Sequence, residues 1–381
     1  MNVSHRSRHA AAALALIAGF ALAGCSSAPK RPDPTPLGAV PPILQVAPVW
    51  HAELGSALPP TFSPVLAAGG VVVAGVDGSV ARFDATNGRE LWRSGVPGGI
   101  SAGVGSDGRF SAVVNARNQL ASLGPQGQLL WLYQLPTSVI TPPLVTRGVI
   151  VVQGADQKLW AFDAADGKVL WNLELRAPAL LLQHAGGLTL DGDTLLVGDA
   201  LGRIDAVALA SGVLRWQTTL AHPRGSTEVE RMVPVTGAPT LADGTVCART
   251  FDATIACVDA DGGALRWSAN AHGASAPTQD GRTLVATQGD GVVQAYATAD
   301  GKPLWHNDQL KYRGLSAPLL VGATVAVGDY QGYVSLLSAH DGSLVGRFDT
   351  DGSAIRSPLL ADGNTMIAVT ARGGVYAYRP R

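Results

Sequence analysis

The sequence predicts an all-β chain closed into an eight-bladed β-propeller of four-stranded antiparallel blades. Three observations predict it. The first is a recurring motif. AFDAADGKVLW (161–171) reads as a strand end, a tight Asp166-Gly167 turn and a second strand ending in Trp171. Near-copies end at Trp92, Trp216, Trp267 and Trp305, and SLGPQGQLLW ends at Trp131. SLLSAHDGSLVG (335–346) keeps the turn but has Gly346 in place of tryptophan, and Trp50 adds one more register. Successive copies lie 38 to 51 residues apart, a spacing that with strand content means a propeller or solenoid.

The second observation is what lies between the copies. Each unit opens on a Ser/Thr/Ala-Pro segment, such as Ser63-Pro64, Thr141-Pro142-Pro143, Ala238-Pro239, Ala317-Pro318 or Ser357-Pro358. An apolar run follows (71–73, 149–152), then a Gly/Asp turn, then an alternating strand (80–83, 292–296) that leads into the motif. That is a four-stranded meander, the unit of a propeller blade. The third observation is that both chain ends are incomplete. A fourth strand (46–50) lacks the three before it, and three strands (357–378) lack a fourth. Pairing the two completes one blade and closes the ring without an open sheet edge at that point.

Composition agrees. There are 46 Gly among 381 residues, 46% are hydrophobic, 15% are charged, and the net charge is −1. Glycine with Val, Thr and aromatics suits short strands and tight turns. No long apolar 3.6-residue period follows residue 24, so helix is expected to be scarce. The near-neutral balance without a basic stripe argues against a nucleic-acid partner.

In chain order, residues 1–24 read as a secretory signal. His5, Arg6 and Arg8 precede an apolar run (10–22) that is short for a membrane span and ends in small residues. Leu22-Ala23-Gly24-Cys25 resembles a bacterial lipobox, which implies a lipid-modified Cys25 as the mature N-terminus, with Ser26 resembling the outer-membrane sorting position. Residues 25–45 carry repeated prolines (29, 32, 34, 36, 41 and 42) and read as an extended tether. Residues 46–381 are the propeller. Its tryptophans (Trp50, Trp92, Trp131, Trp171, Trp216, Trp267, Trp305) read as large rings filling the seams between blades.

Spacing singles out one surface. The connections after Trp171 and Trp216 are the longest, with strand register resuming near Gly187 and Pro239. Being consecutive and of the same type, they should project side by side, and long loops on a rigid scaffold are where recognition sits. The first carries Leu180-Leu181-Leu182-Gln183, an unusual apolar run for a connection; the second carries Glu228, Glu230 and Arg231.

Catalytic patterns are weak. Gly99-Ile100-Ser101-Ala102-Gly103 fits G-x-S-x-G, but no strand–turn–helix follows; Asp107-Gly108, inside a G-x-G-x-x-G match, reads as a hairpin turn. The eight His are scattered and no metal-ligand spacing is present. No cofactor is expected and no catalytic residue is assigned. Cys247 and Cys257 flank the turn at 251–254 on adjacent antiparallel strands, where they could face each other; a disulfide is expected in an oxidising compartment.

The repeat A-x-D-x-x-x-G-x-x-x-W resembles the PQQ-type propeller repeat of quinoprotein dehydrogenases and their non-enzymatic relatives. The mature chain as a whole resembles the BamB family, lipoproteins of the outer-membrane β-barrel assembly machinery. The most specific match beyond the repeat is Gly225-Ser226-Thr227-Glu228-Val229-Glu230-Arg231. The resemblance implies a non-catalytic, lipid-anchored scaffold on the periplasmic face of the outer membrane. It would dock as a monomeric subunit on the POTRA domains of BamA, beside the other assembly subunits and, in one reading, unfolded outer-membrane proteins. It also implies contact residues. Leu180 and Leu182 match a Leu-x-Leu-Arg contact with Gln183 where Arg is expected, and Glu228 and Arg231 remain polar contacts where Pro234 and Thr236 replace the family's acidic residues. The alternative is a quinone-dependent or small-ligand-binding propeller that uses its central channel; the chain has no Cys-Cys pair and little sequence outside the blades.

Overall fold

Each copy of the motif folds as the third and fourth strands of a blade, and local chemistry sets the turn between them. The Asp84 and Asp163 carboxylates accept the backbone N–H two residues on, at 2.8 Å in both cases. The closing glycines, Gly88 and Gly167 among them, adopt φ of +73° and +76°, a region L-residues avoid. The computed structural model describes residues 32–40, 43–59, 62–176, 186–222, 226–227 and 232–381. The chain divides into Met1–Pro34 and Thr35–Arg381. In the first unit only 32–34 are described, without regular structure.

The second unit is a ring of eight four-stranded antiparallel sheets, and no helix occurs among the described residues. Blades 1 to 7 run consecutively over 65–95, 100–134, 144–174, 188–219, 235–270, 278–307 and 319–349. Blade 8 is composite. The strands Leu360–Asp362, Thr365–Val369 and Gly374–Pro380 are completed by Val46–Glu53, which pairs antiparallel with the last of them from Val46↔Pro380 to Glu53↔Gly374. The split predicted from the two ends is therefore the closure of the ring.

The core is distributed between neighbouring sheets. Second strands such as Gly70–Ala74 and Thr245–Thr250 are buried throughout, third strands mostly so, and their Val, Leu, Ile and Ala side chains form clusters that each span a blade and its neighbour. The seven tryptophans lie at these seams. Each indole lies over the turn glycine of the next blade: Trp50 on Gly88, Trp92 on Gly127, Trp131 on Gly167, Trp171 on Gly212, Trp216 on Gly263, Trp267 on Gly301 and Trp305 on Gly342. A Cβ built on any of these glycines would fall 2.4–2.9 Å from a ring atom, so glycine serves both the turn and the packing. Six of the indole N–H groups donate to a carbonyl in that same turn (Ala85, Ala164, Leu209, Ala260, Thr298 and Ala339) at 2.7–3.1 Å.

Two exceptions have physical reasons. Trp92 Nε1 is buried without an acceptor. The turn it meets, Gly124-Pro125-Gln126-Gly127, is one residue shorter than the others, and the carbonyl in the acceptor position, that of Gly124, already takes the Gly127 N–H. Gly346 stands where tryptophan is expected because blade 8 has no third-to-fourth-strand turn for an indole to cover. The incoming chain fills that position: the Leu44 N–H donates to the Val345 carbonyl at 2.9 Å, and a Cβ on Gly346 would meet the Leu44 oxygen at 2.8 Å. Phe348 stacks on Tyr378 across this seam, with centroids 3.9 Å apart.

The last part of the proline-rich segment is held against blades 6 and 7. The Thr35 N–H donates to Lys311 O at 3.0 Å, buried Arg313 donates to Thr35 O at 3.1 Å, and Arg347 donates to Gly38 O at 3.1 Å. Arg313 is itself fixed by an ion pair with buried Asp329 at 2.7 Å.

Candidate functional site

The two long connections leave the outer strands of blades 3 and 4, and the described residues show how their bases are held. Leu175 follows the first outer strand and is buried; Leu220 and Ala221 follow the second and are buried, with Leu220 N–H donating to Gly202 O at 2.9 Å. At the inner edges of blades 4 and 5, into which the connections lead, Gly186 and Gly237 form a parallel bridge. The adjacent Gly187 sits so close that a Cβ on it would overlap Ala238 at 2.2 Å. The Thr189 hydroxyl donates to Pro239 O at 2.6 Å. The inner segments into which the two connections lead are thus joined to each other beside the central channel.

Register resumes earlier than the sequence suggests. The first strand of blade 5 begins at Val235, not at Pro239, because Val235 and Thr236 pair with Thr250 and Arg249 before the register shifts and resumes at Thr240. Gly237, Ala238 and Pro239 lie opposite Ala248 alone, and Gly237 at φ +68° makes the bend. Val235 N–H also donates to Asp199 O at 2.9 Å, which ties the second connection to blade 4.

Beneath these bases is a buried polar cluster that sequence reasoning missed. Asp199 and Asp205 are both buried, but only Asp199 is paired with a guanidinium, that of Arg203. Arg203 Nη2 lies 2.5 Å from the Asp199 carboxylate, and Gln217 Nε2 donates to Asp205. Burial, and then the neighbouring Asp199 charge, push Asp205 up to about 6; burial also raises Asp199 against the pull of Arg203. A comparison of the repeats carries the signal. The residue one before the partner of the blade tryptophan is Ala81, Ala121 and Ala256 in blades 1, 2 and 5, but Asp205 in blade 4. Arg249, opposite Thr236, is a second buried charge; its Nη1 donates to Thr287 O, and burial pushes it down to about 10.

Leu180, Leu182, Gln183, Glu228, Arg231 and the lipobox Cys25 lie outside the described residues. Ser226 and Thr227 are described and exposed. Cys247 and Cys257 face each other in register on adjacent strands of blade 5, with Cα atoms 4.1 Å apart and the sulfurs joined, in the cluster that packs blade 5 on blade 6.

The weaker motifs resolve into scaffold. Ser101 is part of a strand, and its hydroxyl donates to the backbone carbonyls of Asn115 and Val114 at 3.0 and 3.2 Å, so G-x-S-x-G does not form a nucleophile elbow here. Asp107 accepts the N–H groups of Arg109 and Phe110 in a hairpin turn. The central channel has a volume of about 630 Å³. It is lined by the opening segments of the blades, with Pro64, Pro142, Pro143 and Pro358 among them, and Arg356 is its one charged residue among those described. No group of three His, Cys, Asp or Glu able to hold a metal occurs among the described residues.

Comparison with known proteins bears on this arrangement. The family model for the outer membrane protein assembly factor BamB matches residues 76–307 and 289–381. An assembly factor BamB from Burkholderia pseudomallei is 41% identical over 98% of this chain and 99% of its own length. One from Bordetella pertussis is 34% identical over 96% of both chains. The crystal structure of BamB from Moraxella catarrhalis superposes with a TM-score of 0.79 at 25% identity, covering 88% of this chain and all of that one. With the blade count, the closure and the full-length match in agreement, the chain belongs to the family of the outer membrane protein assembly factor BamB.

Proposed function

We propose that this protein is a non-catalytic scaffold of the outer-membrane β-barrel assembly machinery. It is anchored to the periplasmic face of the outer membrane by lipid on Cys25 and docks through its two long connections. The observation that supports the reading is that both long connections lead into inner segments joined to each other at Gly186 and Gly237, which gives two neighbouring connections a common fixed base. Two adjacent loops with fixed bases present one recognition surface at low entropic cost. The family supplies the partner: the POTRA region of BamA, with the other assembly subunits beside it. In this reading Leu180 and Leu182 enter an apolar site on the partner, and Gln183, Glu228 and Arg231 make the polar rim.

Co-purification from membranes tests it. Wild-type protein is expected to retain BamA, and cross-linkers placed at 180–183 and 225–236 are expected to reach it. Replacing Leu180 and Leu182 by Glu should abolish retention while the protein stays folded. Undiminished retention by that variant overturns the loop assignment. Mass spectrometry of the mature N-terminus tests the anchor, with a diacylated and N-acylated Cys25 as the expected species.

A further inference from the structure

Eight blades give eight outer strands, each with one edge facing away from its sheet. Such edges present unpaired backbone N–H and C=O groups, and natural proteins guard them with charge, proline or short length. Seven of the eight are guarded. Val46–Glu53 has Pro48 and Glu53, Glu90–Gly95 has Glu90 and Arg93, and Val169–Glu174 has Glu174. Leu214–Thr219 has Arg215, Leu265–Asn270 has Arg266, Pro303–Asn307 opens on proline, and Leu344–Asp349 has Arg347 and Asp349.

The outer strand of blade 2, Leu129–Gln134 (LLWLYQ), has neither charge nor proline. Leu129, Leu130 and Leu132 are 39, 37 and 41% exposed, three large apolar side chains open to solvent on one edge strand. The position after the tryptophan makes the contrast sharp. It is His51, Arg93, Asn172, Gln217, Ser268 and His306 beside the other tryptophans and Arg347 in blade 7, but Leu132 in blade 2.

We infer that this edge is a strand-pairing site that takes an extended, uncharged apolar segment of another polypeptide. The absence of charge selects the occupant: a charged strand would lose solvation against the leucines with nothing to pair with, whereas an uncharged one gains a backbone ladder and apolar contact together. The molecule holds a small precedent, since an outer strand of this ring already accepts extended chain where Leu44 N–H meets Val345 O. The inference rests on the blade 2 edge alone and is independent of what the long connections bind.

The test uses the purified full-length protein and a short synthetic peptide of alternating Thr and Val. Binding is read by fluorescence anisotropy, and backbone pairing by hydrogen exchange at 129–134. The peptide is expected to bind and to slow exchange there, and a copy N-methylated at alternate residues is expected not to bind. Leu132→Lys puts at this position the kind of charge blade 1 accommodates at Arg93. It should leave the melting temperature unchanged and weaken binding by roughly tenfold or more. Unaltered exchange at 129–134, equal binding of the N-methylated peptide, or full affinity in Leu132→Lys would each overturn the proposal. A concentration-dependent dimer that Leu132→Lys dissolves would overturn it as well, by assigning the edge to a second copy of this chain.

Discussion

At the scale of single residues, the seam tryptophans form a natural mutational series. Trp171 and Trp92 hold equivalent positions, but only the first has an acceptor for its N–H: Leu209 O at 2.7 Å. Both Trp→Phe changes lose ring packing at a seam, but Trp171→Phe should cost roughly 1–2 kcal/mol more than Trp92→Phe, since it alone leaves a buried carbonyl bare. Urea denaturation of the two variants measures the difference.

Asp205 gives a second residue-scale prediction. Its folded-state value lies near 6 against an ordinary 3.8, so the folded form holds the proton more tightly than the unfolded form. The group carries no penalty below 3.8. As pH rises from there to about 6 it destabilises the fold progressively, by up to about 3 kcal/mol, and stays constant above. Asp205→Asn should flatten that part of the stability–pH curve, as denaturation of variant and parent on both sides of the window will show. The tryptophan positions could be read in the sequence because a repeat displays them. Asp205 shows only when the repeats are aligned, because a lone aspartate in a strand otherwise looks like a solvated one until the sheet that covers it is known.

At the scale of elements, blade 5 combines the bent first strand with the Cys247–Cys257 bond. The bond closes a short loop. Replacing both cysteines by Ala should lower stability by roughly 2–3 kcal/mol, an effect that reducing agent on the parent protein should reproduce. A free-thiol assay on the unreduced protein should find neither thiol.

The opening Ser/Thr/Ala-Pro segments also acquire a role at this scale. Prolines 64, 142, 143 and 358 line the channel, beside the innermost strands of their blades. Proline has no N–H to offer there and so blocks further pairing. The inner edges of blades 1, 3 and 8 thus carry proline, while the outer ones are mostly guarded by charge. Elements were legible from periodicity. What periodicity hides is irregularity: the sequence suggests Pro239 as the place where register resumes because it matches other blade openings, while backbone pairing already begins at Val235. The hold on Thr35 and Gly38 was hidden for a similar reason, since a proline-rich stretch looks like tether whether or not arginines reach its carbonyls.

At the scale of the molecule, eight blades could be counted from sequence because the apolar run recurs in all of them, and the turn and the tryptophan in all but one each. The closure could be deduced because only joined ends account for two incomplete blades. That closure also sets an order in time. The strand Val46–Glu53 is the first of the ring to be synthesised, and its partner Gly374–Pro380 is the last. Contacts this distant in sequence form slowly, and the early strand waits unpaired until the chain is nearly complete, with Pro48 and Glu53 to discourage other strands meanwhile. A chain lacking 374–381 should therefore be cut by protease across many blades rather than lose one blade cleanly, as limited proteolysis followed by mass mapping would show. By placing the seal between its oldest and newest residues, the ring checks its own completeness: only a finished chain can become a closed and durable one.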